Sequence, residues 1–421
     1  MKMKFDEKLR WWTYWTLDRL KGRPVGKYYD EIRRAWKKGS SVEGTNEKIQ
    51  KLIAHAVATT EFYKDYSPET PLSQLPVMNK EIIRSNYDLF YSSMYKDAPD
   101  NRVMSTSGST GTPFSVIQNL EKIRHNTAAS IFLGTAAGYY IGMKEAFVRM
   151  WVGDHAKKSK LSLIAENLVM MDCANVGDEE MAERVALIRD KKVAALVGYS
   201  SALGDMSDYI KRHDIDTSKF NIQVIIPISE NMPDAMRDQL YEQFHCPVRS
   251  WFCNEENGIM GVQVAEKGAY YIDSESYYYE ILKMDSDEPA EEGELGRIVI
   301  TDLYNYALPL IRYDNGDLAK YKKIEKNGQF KMMLTELYGR RSDIIYDTKG
   351  RYVSPFILYN NLAEAEGLRQ YRFIQETEDT YTLWLNGNPD EIDADGIVAM
   401  IKPYLGEGAT LTVDYVDEIP A

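Results

Sequence analysis

Ile222–Ile228, reading IQVIIPI, is apolar at every position except Gln223. A run this long without polar alternation suits a strand covered on both faces, and such strands belong to parallel sheets flanked by helices. The surrounding chain keeps the same rhythm. A strand is predicted near Ala146–Val152, a helix over Asp178–Arg189, a strand over Val193–Val197 and a helix over Ala202–His213. After Ile222–Ile228 come a helix over Met232–Phe244, with Pro233 near its start, and a strand over Val248–Phe252. Repeated strand–helix units imply an α/β fold with a mostly parallel, helix-covered sheet. In such sheets sites collect at the carboxyl ends of strands. That rule selects Ser229–Glu230 after one strand and Cys253–Glu256 after the next.

On either side the texture differs. From Phe5 to Asp65 the apolar residues Trp12, Trp15, Leu17, Ile32, Trp36, Ile49, Leu52, Ile53 and Ala56 recur at helical spacing, and Lys80–Leu89 reads as another short helix. From Ala269 to Asp317 short β-rich segments, Tyr277–Leu282, Gly296–Thr301 and, just beyond, Leu318–Tyr321, predict an antiparallel unit. Beyond Ile344 the strands Tyr371–Gln375 and Thr380–Leu385, the helix Asp393–Pro403 and the strand Thr410–Val416 predict a small α+β domain. The expected architecture is a large N-terminal domain, residues 1–341, with helix-covered mostly parallel sheets and a small β-rich subdomain. A small C-terminal domain, residues 342–421, follows it.

Composition narrows the function classes. The chain has 421 residues, 44% hydrophobic and 27% charged. No segment approaches the ~18 consecutive apolar residues of a membrane-spanning helix, and Asp6, Glu7 and Asp18 interrupt the aromatic start, so no secretory signal is read. Three scattered cysteines, Cys173, Cys246 and Cys253, predict neither a disulfide framework nor a Cys-rich zinc site. A cytoplasmic location is expected. A net charge of −13 opposes binding to nucleic-acid phosphates.

One stretch makes sense only as chemistry. Ser105–Pro113, STSGSTGTP, has three serines, three threonines and two glycines ahead of its proline and no apolar side chain among them. Gly108 and Gly111 allow tight turns and close approach to a ligand, while hydroxyls and backbone N–H groups can surround phosphate oxygens. Phe114 follows where a phosphate-binding loop of the G-x-x-x-x-G-K-[ST] type would have lysine, so the match to that motif is not literal. Taken alone, the stretch is equally a polar surface loop.

Four other stretches carry weaker signals. PLIRYDNGD, Pro309–Asp317, contains Asn315–Gly316 and reads as a hairpin tip. GRRSD, Gly339–Asp343, reads as a charged domain junction. WFCNEENG, Trp251–Gly258, puts Glu255 and Glu256 just after a strand, where a carboxylate can hold Mg²⁺ beside a triphosphate. IPISENMPDAMR, Ile226–Arg237, ends a strand in Ser229–Glu230 before a helix. Each alone is an ordinary surface feature.

Their order, with GYSSAL (Gly198–Leu203), TDLYNYALPLIRYDNGD (Thr301–Asp317), GRRSDII (Gly339–Ile345) and LPVMNKEII (Leu75–Ile83), resembles the adenylate-forming ligases. More narrowly it is similar to the phenylacetate–CoA ligase and CapK-like branch, from about Ala54 onward. The resemblance implies ATP-dependent activation of a small carboxylic acid as an acyl-adenylate, with pyrophosphate release and transfer to coenzyme A. Transfer to an amine, or nucleotide binding without turnover, is the alternative.

Roles follow by resemblance. Ser107, Gly108, Ser109, Thr110, Gly111 and Thr112 would hold the β,γ-phosphates, and Ser229 and Glu230 would line the adenine pocket. Glu256 would coordinate Mg²⁺ and, with Thr110, act catalytically. Asp317 would hold the ribose hydroxyls with help from Arg340, Arg312 would support its hairpin, and Ser342 and Asp343 would form the hinge. Phe252–Cys253 stand where the branch has Tyr–Gly. The branch also has a lysine after a segment like VDEIP, and the sequence given ends at Ala421; Lys402 is read as a solvated charge. Phe132, Tyr139, Trp151, Tyr199, His125 and His155 are read as packing rather than chemistry. Beyond the acid, a second copy of the chain is the only partner expected.

Overall fold

The computed structural model describes residues 3–105, 114–149, 151, 159–173, 177–229, 232–265, 268–340, 345–350, 352–353, 362, 365, 367–417 and 419. The chain divides into two compact units, one of Met1–Thr106 with Phe114–Leu337, the other including Tyr338–Ala421. Among the described residues the fold is mixed α/β, with one parallel sheet and several antiparallel ones.

The parallel sheet runs in the order Leu168–Asp172, Glu145–Arg149, Ala195–Tyr199, Val224–Ile228. Its two faces feed different cores. Val224, Ile226 and Ile228 pack with the helices Gly26–Lys38 and Leu120–Ala137, whereas Ile225, Leu196 and Ala146 pack with Asp178–Asp190 and Ser200–Arg212. Burial on both faces is the reason the run carries no polar alternation, and each such side chain contributes about 1.5–3 kcal/mol. Pro227 is tolerated because Val224–Ile228 is an edge strand, where a missing N–H costs no ladder hydrogen bond.

Two expectations are corrected here. The segment at Val248 is joined to the parallel sheet by an isolated bridge to Ile225 rather than a full strand ladder, and the strand that follows, Trp251–Asn254, pairs antiparallel with Gly258–Gln263. The chain thus leaves one sheet and opens the next within a few residues. The fourth parallel strand is instead Leu168–Asp172, paired with Glu145–Arg149.

The second correction concerns Asn315–Gly316. These residues lie inside the continuous strand Tyr313–Lys326, at an irregularity where Val299 opposes Asp314 and Arg297 opposes Leu318. Local polar contacts stabilise this bulge. The Gly316 N–H donates to the Asp314 carboxylate (3.0 Å) and the Asp317 N–H to the Asn315 side-chain oxygen (3.0 Å). The turn falls twelve residues on, at Asn327–Gly328, where φ is 54° and 71° and the chain reverses into Gln329–Arg340. That hairpin sits in the large antiparallel sheet, ordered Tyr277–Leu282, Gly296–Asp302, Tyr313–Lys326, Gln329–Arg340, Tyr270–Ile272, Gly258–Gln263, Trp251–Asn254.

In the second unit Leu368–Gln375 pairs antiparallel with Thr380–Gly387, which pairs parallel with Thr410–Tyr415. The helix Ala394–Leu405 makes the crossover, its first turn capped by Asp393 accepting from the Gly396 N–H at 2.9 Å. Tyr381, Leu383 and Leu385 on the strand meet Ile397, Ile401 and Leu405 on the helix to form this unit's own core.

Candidate active site

Glu256 sits in the turn between Trp251–Asn254 and Gly258–Gln263. Asn254 closes that turn by accepting from the Asn257 N–H at 2.8 Å, and Gly258 completes it at φ 96°, where a Cβ would press on the Asn126 amide at 3.2 Å. The turn is held from outside too. The Gln118 amide donates to the Glu256 carbonyl at 2.9 Å, and the Tyr277 hydroxyl to the Asn257 carbonyl. The Glu256 side chain is thereby buried, and residue exposure is 2%.

Its two oxygens have different surroundings. Oε1 accepts from the Tyr313 hydroxyl at 2.8 Å and pairs with the Lys80 ammonium at 2.8 Å. Burial, and then the Glu256 charge, holds the Tyr313 hydroxyl well above its ordinary pKa, so it remains a donor. Among the described residues Oε2 is buried without a hydrogen-bond partner. A bare anionic oxygen out of water is costly, and the group that relieves it is a cation or a strong donor. Among the described residues no three His, Cys, Asp or Glu side chains cluster as a metal site, so within them Glu256 Oε2 offers a divalent ion a single carboxylate contact. The orphaned oxygen fits a single-carboxylate Mg²⁺ contact of that kind.

Lys80 was not singled out by sequence reading. It opens the helix Lys80–Ser85, which Asn79 caps by accepting from the Ile82 N–H at 2.9 Å. The stretch before it is fastened to the Tyr313 strand, with the Met78 N–H donating to the Arg312 carbonyl (2.9 Å) and the Asp314 N–H to the Met78 carbonyl (2.7 Å). Arg312, at φ 51°, bonds both Glu280 oxygens (3.1 and 3.0 Å) and reaches back to the Leu75 carbonyl at 2.7 Å. So Arg312 supports the lysine-bearing segment as well as its own strand. The asparagine cap ahead of a lysine in LPVMNKEII was the available signal; nothing local linked it to Glu256.

The strands on either side of the hydroxyl-rich stretch lie beside these groups. Arg102–Ser105 and Ser115–Gln118 pair antiparallel with Ser105 opposite Ser115, their hydroxyls 2.8 Å apart. Phe114, buried, stacks on Tyr313 with ring centroids 6.3 Å apart, and Lys80 lies 6.0 Å from the Phe114 centroid. Ser107, Gly108, Ser109, Thr110, Gly111 and Thr112 lie outside the described residues, as do Glu230, Ser342, Asp343 and His155. Arg340 ends its strand, and its side chain is not described.

Ser229 and Asp317 converge on Cys253. Ser229 ends the Val224–Ile228 strand at φ 66°, a left-handed backbone that a serine adopts only under surrounding constraint. Burial pushes the Cys253 thiol up to about 11; a hydrogen bond with the Ser229 backbone opposes the rise, and the charges of Glu255 and Asp317 add to it. Asp317 also raises the Tyr313 hydroxyl, and it receives the Asn315 amide at 2.7 Å. Ser229, Cys253, Asp317, Tyr313 and Glu256 therefore share one neighbourhood. Arg149, at the end of a central parallel strand, joins it by pairing with Glu255 at 3.3 Å and was also missed.

The packing expectations for other residues agree with their surroundings. Phe132 lies edge-on to Tyr29 and Trp36, the Tyr139 hydroxyl donates to Glu145 at 2.8 Å, and the Trp151 ring N–H donates to the Met171 carbonyl at 3.2 Å. His125 stacks on Tyr304 at 3.7 Å, and burial holds it well below its ordinary pKa, hence neutral.

No protein-family model matches the chain. Protein CapK of Staphylococcus aureus is 24% identical over 423 residues, covering 96% of this chain and 91% of that protein. A phenylacetate-coenzyme A ligase of Pseudomonas putida is 24% identical over 344 residues, covering 80% of this chain and 74% of that protein. The crystal structure of 2-hydroxyisobutyryl-CoA ligase in the postadenylation state with R3-HIB-AMP superposes with a TM-score of 0.66 at 15% identity, over 89% of this chain and 85% of that one. In sequence the chain resembles CapK and the phenylacetate–CoA ligases, and in fold it resembles the adenylate-forming CoA ligases. The sequence relatives are at low identity.

Proposed function

We propose that this protein uses ATP to activate a small carboxylic acid, aryl or otherwise, and transfers the acyl group to coenzyme A. The observation that carries this reading is Glu256, buried with Oε1 fixed by Tyr313 and Lys80 and Oε2 without a partner among the described residues, near the paired strands Arg102–Ser105 and Ser115–Gln118. In this reading residues Ser107–Thr112, with Thr110 acting catalytically, grip the β,γ-phosphates. Ser229 and Glu230 line the adenine, and Asp317, helped by Arg340, holds the ribose. Mg²⁺ held at Glu256 would supply charge neutralisation for the triphosphate.

The chain's own residues position and neutralise. Tyr313 keeps the Glu256 carboxylate aimed, and Lys80 balances its charge from a side that solvent reaches. An oxygen of the bound acid attacks the α-phosphorus, and the bond to pyrophosphate breaks. The thiol sulfur of coenzyme A then attacks the acyl carbon; the C–O bond breaks, its electron pair leaves with AMP, and the thiol proton passes to solvent. Held geometry and pre-set charges supply most of the acceleration. Residues 1–341 would bind ATP and acid while 342–421 turn about Ser342–Asp343 between the two steps, limiting hydrolysis of the intermediate.

The test is acid-dependent exchange of labelled pyrophosphate into ATP across a panel of aryl and aliphatic acids. Exchange with at least one acid is expected, falling by at least about a hundredfold in Glu256→Gln. ATP binding with no exchange for any acid would leave a nucleotide-binding protein and overturn the ligase reading.

A further inference from the structure

The N-terminal helix Phe5–Leu20 is anchored on one side only. Its inner face carries Glu7, Tyr14 and Asp18, spaced seven and four residues apart. Glu7 accepts from the Tyr140 hydroxyl at 2.9 Å, and Asp18 accepts from the backbone N–H groups of Val25 and Gly26 at 2.9 and 3.1 Å. A Cβ at Gly142 would meet the Glu7 carbonyl at 2.6 Å, which measures how closely the helix lies on the body. The helix is thus part of the folded unit.

The opposite face is apolar and bare. Phe5, Leu9, Trp12 and Leu20 fall on one stripe with Thr16, and they are 83%, 54%, 63% and 78% exposed. Lys8 and Arg19 flank the stripe and Lys21 lies just beyond it; all three are exposed, and none makes an ion pair among the described residues. The charge of this end is opposite to that of the rest. Residues 1–38 hold twelve Lys and Arg against five Asp and Glu, a net +7, in a chain whose total is −13, so the remainder carries −20.

We infer that this helix face docks the protein onto an anionic lipid surface, lying in the interface plane without crossing it. No helix among the described residues is long and apolar enough to span a membrane. The pattern fits the interface instead. Aromatic and aliphatic side chains on one face gain by entering the acyl boundary, tryptophan favours the headgroup level, and flanking Lys and Arg meet lipid phosphates. Charge also favours this orientation, because residues 1–38 carry +7 and are attracted to an anionic surface while the remainder, at −20, is repelled on balance. Face-to-face pairing with a second copy is disfavoured by the same residues, since it sets Lys8 and Arg19 against their own counterparts.

The experiment is flotation of the full chain with vesicles of phosphatidylcholine alone and of phosphatidylcholine mixed with phosphatidylglycerol. Binding to the phosphatidylglycerol vesicles only, weakened by salt, is expected. A Phe5→Ser/Leu9→Ser/Trp12→Ser variant should lose it. Lys8→Glu/Arg19→Glu/Lys21→Glu should weaken it by at least about a hundredfold, from roughly 1 kcal/mol per basic residue lost at an anionic surface. The substitutions are at exposed positions, so both variants should keep the wild-type melting temperature and pyrophosphate exchange. Absence of wild-type binding to either vesicle, or equal binding by the charge-reversed variant, would overturn the inference. So would light scattering that shows a wild-type dimer dissolved by the apolar triple substitution without any vesicle binding.

Discussion

Asp302 and Glu256 are both buried carboxylates paired with one lysine, yet the two lysines stand in different surroundings. Lys122 meets Asp302 at 2.5 Å with both side chains fully enclosed, and its ammonium also donates to the Tyr277 hydroxyl at 2.9 Å. Burial pushes the Lys122 ammonium below its ordinary pKa while Asp302 and then Asp273 oppose the shift. Lys80 meets Glu256 at 2.8 Å, but its side chain is 29% exposed and the second Glu256 oxygen has no partner among the described residues. A sealed pair can only hold structure together. A pair open on one side, with an oxygen to spare, can trade partners when a charged substrate arrives.

The comparison breaks first at the sealed pair. Lys122→Met should cost about 3–5 kcal/mol in urea unfolding, because Asp302 is left as an uncompensated buried charge. Exchange activity per folded molecule should stay near wild type. A loss below about 1 kcal/mol would mean the enclosure is leakier than its geometry implies.

Asp273 sharpens the sealed side. It bonds Ser276, whose hydroxyl lies 3.1 Å from the His125 ring nitrogen, and burial raises the Asp273 carboxyl from 3.8 to about 6. Between those values the folded state holds more protons than the unfolded one, so this group's stabilisation is present in full below pH 3.8 and is lost as pH rises through about 6. The change across that window is up to about 3 kcal/mol. Asp273→Asn should flatten the corresponding slope of unfolding free energy against pH, and an unchanged slope would assign it to other groups.

The open pair gives the smallest free-energy effect and the most specific one. Lys80→Met should lower pyrophosphate exchange by about tenfold to a hundredfold, the range for losing one charge-assisted hydrogen bond. Its urea midpoint should move less than that of Lys122→Met. Should stability fall as far while exchange per folded molecule holds, Lys80 is structural and the two pairs are alike.

Much of the frame was legible beforehand. Ile222–Ile228 announced a doubly covered strand because burial on two faces removes polar alternation, and its residues do feed two cores. Asn315–Gly316 misled, since Asn-Gly permits positive φ wherever the chain needs it, in a bulge as readily as in a turn; Asn327–Gly328, also present, was the turn. The change of sheet near Val248 was invisible because an apolar strand reads the same whether its partners run parallel or antiparallel.

By itself the sequence determined the α/β alternation, the antiparallel region, the small C-terminal core and the candidates Ser229 and Glu256, because periodicity and strand-end chemistry are local properties; Asp317 was a candidate only through the family resemblance. Tertiary structure alone decided which oxygen of Glu256 is anchored and which is bare. It also brought Lys80 and Arg149 to that neighbourhood and made Lys122, an ordinary charged residue in the sequence, part of the core. Charge pairing depends on distance through space and on the water excluded around it, and neither is written along the chain.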